Sequence, residues 1–219
     1  VFRNNLTLGI SSSGTEFAIG RARPLIINHP VSLVQCEHTD AIFSVTATGA
    51  TPFTYRWYKD GVLITNGADY SGARTATLTI IDINLVDAGN YYCIVSDRYR
   101  NSTTSNSASL TVMKIPVAAV SISTQDHECS DISFEDIVLN LTYYDNPGST
   151  FVWTRDNPIG ISSAIPMSGT AFNIGDVLAG TFTNSTDAPL KVTFIITPIG
   201  PLPTNCTGNP VTSTITVNP

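Results

Sequence analysis

At 219 residues the chain is long enough for two domains of ordinary size, each able to bury its own core. A net charge of −6, with 11 Lys and Arg and no basic block of five or more, argues against nucleic acid or an anionic membrane surface as partner, since both bind through clustered cations. No apolar run approaches the ~18 residues that insertion across a bilayer needs.

Four cysteines, heavy Ser and Thr use and only three lysines (Lys59, Lys114 and Lys191) fit a secreted or surface-exposed all-β protein in an oxidising compartment. The chain opens at Val1 with neither methionine nor signal peptide, so it reads as a mature product or a piece of something longer. Asn-x-Ser/Thr triplets at Asn5, Asn101, Asn140, Asn184 and Asn205 would accept glycans in a eukaryotic secretory pathway. A chain this rich in Asn, Ser and Thr produces such triplets by chance.

Residues 1–24 carry strand-like runs at Val1–Ile10 and Glu16–Ile19 and read as a leading arm or the end of a preceding domain. The alternation of Phe2, Leu6, Leu8 and Ile10 could supply a strand to a neighbour's sheet edge. An ordinary extra strand or loose terminus is the plainer reading.

From Pro24 to Val112 apolar residues recur with period two, the mark of half-buried strands, and helix-length patterns are absent. Phe43, Val45 and Ala47 form one face of a strand, as do Phe53, Tyr55 and Trp57, after which Asp60-Gly61 closes a hairpin toward Val62 and Ile64. Ala76, Leu78 and Ile80, then Tyr91 to Val95, then Ala108, Leu110 and Val112 supply the later strands. In Leu85–Val95, Asp87 and Gly89 suit a tight turn, and Tyr91 stands two residues before Cys93 on an inward face. That spacing predicts a tyrosine corner and a seven-strand sandwich of roughly 90 residues.

These residues, with Trp57 in Tyr-Arg-Trp-Tyr-Lys-Asp-Gly matching the core tryptophan, resemble the I-set immunoglobulin family. The resemblance implies a sandwich over residues 25–113 with Trp57 and Tyr91 in its core. One departure concerns the cysteines: Val45 stands where the family's first cysteine would, and Cys36 lies 21 residues before Trp57. Extended chain would place Cys36 about 30 Å from Val45. A Cys36–Cys93 bond then needs the chain to fold back, because a disulfide does not tolerate Cα separations beyond about 7 Å. The lead-in Cys-Glu-x-x-Asp-Ala-x-Phe-Ser-Val-x-Ala-x-Gly resembles the immunoglobulin-like repeats of large bacterial surface proteins.

Residues 114–119, containing Lys114-Ile115-Pro116, read as a short linker, and the alternation restarts over 120–219. Val120 and Ile122, then Ile137, Leu139 and Leu141, then Phe151 and Trp153, then Val192, Phe194 and Ile196, and finally Thr212–Val217 predict a second sandwich with Trp153 in its core. The expected fold class is all-β, two tandem immunoglobulin-like β-sandwiches. The second lacks the Asp-x-Gly-x-Tyr-x-Cys corner, so it is no duplicate of the first. Its landmarks are Cys129-Ser-Asp, Phe151-Val-Trp153-Thr, Leu178-x-Gly-x-Phe, Val192-Thr-Phe-Ile-Ile-Thr-Pro198 and Asn205-Cys-Thr-Gly-Asn-Pro210. Together they resemble the PKD-like repeats of giant cell-surface proteins in gliding and related Bacteroidota. That resemblance implies a modular surface or secreted protein, commonly an adhesin exported by the type IX system, with these domains as stalk or array units. Cys129 and Cys206 both belong to the resembled repeat's pattern. Four cysteines allow three pairings: Cys36–Cys93 with Cys129–Cys206 keeps each bond inside a domain, and the rival joins Cys36 to Cys206.

No catalytic constellation emerges, and the expectation is a protein that is not an enzyme and needs no cofactor. His29, His38 and His127 share no metal-ligand spacing with one another or with cysteine, and neither a Gly-x-Ser-x-Gly elbow nor a phosphate-binding glycine loop occurs. Asp126, Glu128, Asp131, Glu135 and Asp136 could offer oxygens to Ca2+, as could Asp145, Asn146, Asp156 and Asn157, but solvated turn carboxylates are the plainer reading of both sets. The best candidate for recognition is the hairpin tip Asp97-Arg98-Tyr99-Arg100-Asn101 beside Ala50–Phe53, with Arg98, Tyr99, Arg100 and Phe53 as binding residues. Arg and Tyr dominate binding hot spots, and sandwich end loops are where immunoglobulin folds bind. The expected function is an extracellular, cell-surface structural or adhesive module whose partners are neighbouring domains, copies of itself, or a surface glycan or protein. The alternatives are a filament subunit joined by strand or arm exchange, and a carbohydrate- or protein-binding appendage of a secreted hydrolase.

Overall fold

A computed structural model of the chain describes residues 6–10, 17–127, 130–143 and 147–219, with the backbone alone described at 6–10, 17–21 and 127. It divides into two units, Val1–Val112 and Met113–Pro219. Both are built of strands, and each closes around its own core.

In the first unit, β1 (Leu6–Ile10) and β2 (Phe17–Arg21) pair antiparallel, with Leu6 opposite Arg21, as a two-stranded sheet. Val1, Phe2 and Glu16 of the expected runs lie outside the described residues. There follow β3 (Leu25–Asn28), β4 (Leu33–Cys36), β5 (Ala41–Ser44), β6 (Thr46–Thr48), β7 (Thr54–Lys59) and β8 (Val62–Leu63). Next come β9 (Tyr70–Ser71), β10 (Thr77–Ile80), β11 (Gly89–Ser96), β12 (Ser102–Thr104) and β13 (Ala108–Met113). One sheet runs β4-β13-β11-β7-β8, with β12 also on β11; facing it is β5-β10-β9, and β3 pairs with β6. The alternation of Phe43, Val45 and Ala47 survives a change of partner: β5 pairs with β10, β6 with β3, and buried Val45 stands between them.

Local chemistry sets the corners of this unit. Asp60 and Gly61 both take positive φ, 47° and 87°, the requirement of a two-residue type I′ hairpin, and Lys59 pairs with Val62 across it. A single 3-10 turn at Leu85–Asp87 is capped by Asn84, whose Oδ1 accepts from the Val86 N–H at 3.0 Å while Asp87 Oδ2 accepts from the Asn84 N–H at 2.9 Å. Directly after it the Tyr91 hydroxyl donates to the Asp87 carbonyl at 2.6 Å, so the tyrosine corner is formed as its spacing predicts. Trp57 and Tyr91 are fully buried, and Phe43 packs between them with ring centroids 6.5 and 4.9 Å away.

The second unit contains β14 (Ala118–Val120), β15 (Thr124–His127), β16 (Ile137–Leu141), β17 (Thr150–Arg155) and β18 (Ile161–Ser162). After them come β19 (Ser168–Asn173), β20 (Val177–Leu178), β21 (Thr183–Asn184), β22 (Leu190–Ile199) and β23 (Val211–Val217). Its main sheet runs β15-β23-β22-β17-β19, with β15 parallel to β23 and the other pairs antiparallel; β14-β16-β20 forms the second sheet. Trp153, Phe194, Phe182 and Phe134 form an aromatic chain through the core, with successive centroids 5.5 to 6.3 Å apart. Asn184 is only 7 % exposed: its amide donates to the Ala188 and Val217 carbonyls at 2.8 Å each, and its Oδ1 accepts from Thr186.

The favoured Cys36–Cys93 bond is corrected by the fold. Cys93 is a free thiol, fully buried in the middle of β11, while Cys36 and Cys206 are each disulfide-bonded. The reason lies in strand order. Cys36 ends β4 in the same sheet as β11, with β13 between them. Two strand spacings amount to about 9–10 Å, beyond the roughly 7 Å that a disulfide tolerates. Cys129 lies outside the described residues, and so does any pairing assigned to it.

Candidate functional site

The hairpin joining β11 to β12 is organised from beneath by a buried carboxylate. Asp97 is 4 % exposed; its Oδ1 accepts from the Tyr99 N–H at 2.8 Å and the Asn101 N–H at 2.9 Å, and its Oδ2 accepts from the Asn101 side-chain amide at 3.2 Å. The Arg100 N–H donates to the Asp97 carbonyl at 3.0 Å, and the Asp97 N–H to the Asn101 carbonyl at 3.0 Å. The result is a three-residue tip, Arg98-Tyr99-Arg100, whose last member sits at φ 67° in the left-handed region. A turn of this length ends in that conformation, usually on glycine or asparagine. Here an arginine takes it.

The three side chains above this base are exposed. Arg98 donates to the Tyr99 hydroxyl at 2.6 Å, with its guanidinium carbon 4.7 Å from the Tyr99 ring centroid, so the two side chains hold each other. The Arg98 N–H reaches the Ala50 carbonyl at 3.3 Å, which brings the loop before β7 beside the tip as expected. Phe53 departs from the expected set. Its ring is half-buried and packs on the core, where it supports the loop rather than standing with the arginines. The tip thus presents two guanidinium groups and a phenol on an otherwise acidic chain, an arrangement suited to anionic or polar groups by charge-assisted hydrogen bonds.

The other candidates separate into structural roles. His29 accepts from the Asn106 N–H at 2.9 Å, and exposed His38 pairs with Asp82 at 3.0 Å. Thr183 donates to Asp131, the Thr193 N–H to Asp156 at 2.8 Å, and Arg155 to Asn157 at 3.1 Å, so these oxygens already serve turns and strand ends. Glu128, Asp145 and Asn146 lie outside the described residues. Among the described residues no group of three or more His, Cys, Asp or Glu side chains could hold a metal ion, and no helix is long and apolar enough to cross a membrane. What sequence reasoning missed is the role of Asp97. The available signal was an Asp two residues before a tyrosine at a hairpin tip, the spacing of an Asx-turn.

The fold and corner define the class: an all-β protein of two immunoglobulin-like sandwiches in tandem. Residues 23–97 match the immunoglobulin domain family, and residues 126–219 match the PKD-like domain family. Domains of both kinds are generally non-catalytic. No curated protein matches the chain in sequence. Among solved structures, an I-band fragment of titin shares 18 % identity at a TM-score of 0.50, covering 91 % of this chain and 66 % of the fragment. A second titin three-domain structure, an E-to-A variant, shares 17 % at 0.49, with the same coverage. The chain therefore spans just under two thirds of the titin fragments' length, and the likeness is one of fold.

Proposed function

We propose that the chain is a non-catalytic extracellular module of a modular bacterial cell-surface protein, of the type exported in Bacteroidota by the type IX system, with a structural and adhesive role. The observation that carries the adhesive part is the tip at Arg98-Tyr99-Arg100. It is held by the buried Asp97 carboxylate and ends in a left-handed arginine. Strained backbone kept at an exposed tip is a feature of recognition sites, and a tip fixed in advance loses little entropy on binding. Disulfide bonds at Cys36 and Cys206 support an oxidising, extracellular setting.

The test is adhesion of beads coated with the chain to a panel of immobilised acidic and neutral glycans, beside beads carrying the Arg98→Ala/Arg100→Ala variant. Retention on acidic members that the variant loses is the expected result. Failure of the parent chain across the panel counts against the glycan-adhesive role.

A filament subunit is the second reading, favoured by the separate two-stranded sheet of β1 and β2, whose outer edges are a template for strand pairing. Light scattering on the full chain and on one lacking residues 1–24 decides it. Polymers formed only by the full chain would establish the filament; monomers in both cases would leave the stalk-like module.

A further inference from the structure

Trp57 and Trp153 each lie on the strand next to the edge of their own main sheet, yet their indole N–H groups differ. Trp57 Nε1 donates to the Thr75 carbonyl at 3.0 Å. Trp153, 3 % exposed, has no acceptor for its Nε1 among the described residues. A buried donor left without a partner is costly and uncommon in native folds. The register makes room for it: Gly169 stands opposite Trp153, and a Cβ there would lie 2.5 Å from Nε1.

The same indole lines a concavity of about 410 Å3, together with Phe172, Ile165, Leu178, Ala179 and Gly180. No charged side chain lines it. Its size falls within the roughly 300–1,000 Å3 of small-molecule sites, which are mostly apolar with a few placed polar groups. One wall is held from behind: Arg155 is 7 % exposed and donates to the Ile165 carbonyl at 2.7 Å and the Pro166 carbonyl at 3.1 Å. Opposite, Gly180 lies so close to Ile165 that a Cβ would meet its side chain at 2.7 Å. The half-buried Phe172 ring, edge-on to Trp153 at 6.1 Å, flanks the N–H edge.

We propose that this concavity binds a small, neutral, largely apolar molecule carrying one acceptor oxygen. Its ring fills the space between Ile165 and Leu178, and its oxygen displaces the Phe172 edge to accept from Trp153 Nε1. The uncharged lining excludes an ion as ligand, and a polyhydroxylated sugar would leave most of its hydroxyls unpaired.

Acetophenone, a single ring with one ketone, is the probe, and ethylbenzene is its counterpart without an acceptor. Both indole N–H signals of the 15N-labelled full chain are followed during titration. The expected result is a saturable shift of the Trp153 signal with Trp57 unmoved, and ethylbenzene binding about tenfold weaker for want of one hydrogen bond. Ala179→Phe and Ala164→Phe, two exposed rim positions, should each abolish the shift while the rest of the spectrum stays folded. No saturable Trp153 shift, equal affinity for the two probes, or an undiminished shift in both rim variants would overturn the proposal.

Discussion

Ser105 holds Cys93 twice: its Oγ accepts from the Cys93 N–H at 3.0 Å, and its own N–H donates to the Cys93 carbonyl at 2.8 Å. The hydroxyl also donates to the Asn106 carbonyl at 2.8 Å, so one small side chain completes the backbone pairing of β11 where the chain passes from β12 to β13. Ser105→Ala strands a buried N–H. We expect a loss of about 1–3 kcal/mol, read from the urea midpoint; an unchanged midpoint would show that water replaces the hydroxyl.

Cys93 should be silent in the native protein. Burial pushes its thiol up to about 12, so the reactive thiolate is scarce as well as inaccessible. Buried Tyr91 is shifted upward too, chiefly by desolvation. Because folding holds both groups protonated, the stability they contribute is intact below their unfolded values, about 8.5 and 10, and is lost as pH rises through the folded ones. Iodoacetamide at pH 8 should label Cys93 only in denaturant, and stability should decline above roughly pH 9. Rapid native labelling of Cys93 would contradict this.

Gly89 begins β11 at φ 153°, and a Cβ there would collide with Asp60 Oδ2. That carboxylate is not free to retreat, since its Oδ1 accepts from the Asn90 N–H at 2.9 Å. Gly89→Ala is expected to cost about 1–3 kcal/mol and lower the melting temperature of the first unit. Gly61→Ala is the comparison. Its Cβ would meet nothing within 4 Å, so that variant isolates backbone strain from collision.

Arg100 offers a trade between stability and recognition. Glycine tolerates its φ of 67° without the steric penalty of a side chain, so Arg100→Gly should raise stability by about 1 kcal/mol. It should also weaken whatever the tip binds. A variant that gains stability and keeps full adhesion would remove Arg100 from the recognition set.

Arg155→Leu keeps the apolar stem and deletes four hydrogen bonds to Asp156, Asn157, Ile165 and Pro166. Desolvation lowers the pKa of this guanidinium, yet it donates to all four of these oxygens. The expected cost is at least about 2 kcal/mol, because several carbonyls lose their donor together. Hydrogen exchange should quicken at Ile165 and across the segment from Ser163 to Met167.

The strands of both cores were legible because a half-buried strand records its inward face in every second residue, as Phe43, Val45 and Ala47 do, or Val192, Phe194 and Ile196. Tyr91 was legible for the same reason, its distance from Cys93 being a backbone matter. The pairing of Cys36 was not, since it depends on β4 lying beside β13, an order that local pattern does not encode. The edge strand β19 escaped notice because Ser168–Asn173 has no alternating apolar face. At the tip, Arg98, Tyr99 and Arg100 stood out by residue type, while Phe53 read as an anchor because aromatic character does not say which way a ring turns. Trp153 looks like Trp57 in sequence. Only the segments folding around each decide which indole finds a carbonyl.

Asn184 bears on how the protein can be produced. Its amide is spent on the Ala188 and Val217 carbonyls, yet it heads an Asn-Ser-Thr triplet. A host that glycosylates nascent chains would meet this asparagine while it is still accessible, before β23 arrives to cover it. The attached sugar would then occupy the place where β21 meets the end of β23. Expression in a eukaryotic secretory line should therefore yield a second domain that fails to close, and a bacterial periplasm should not.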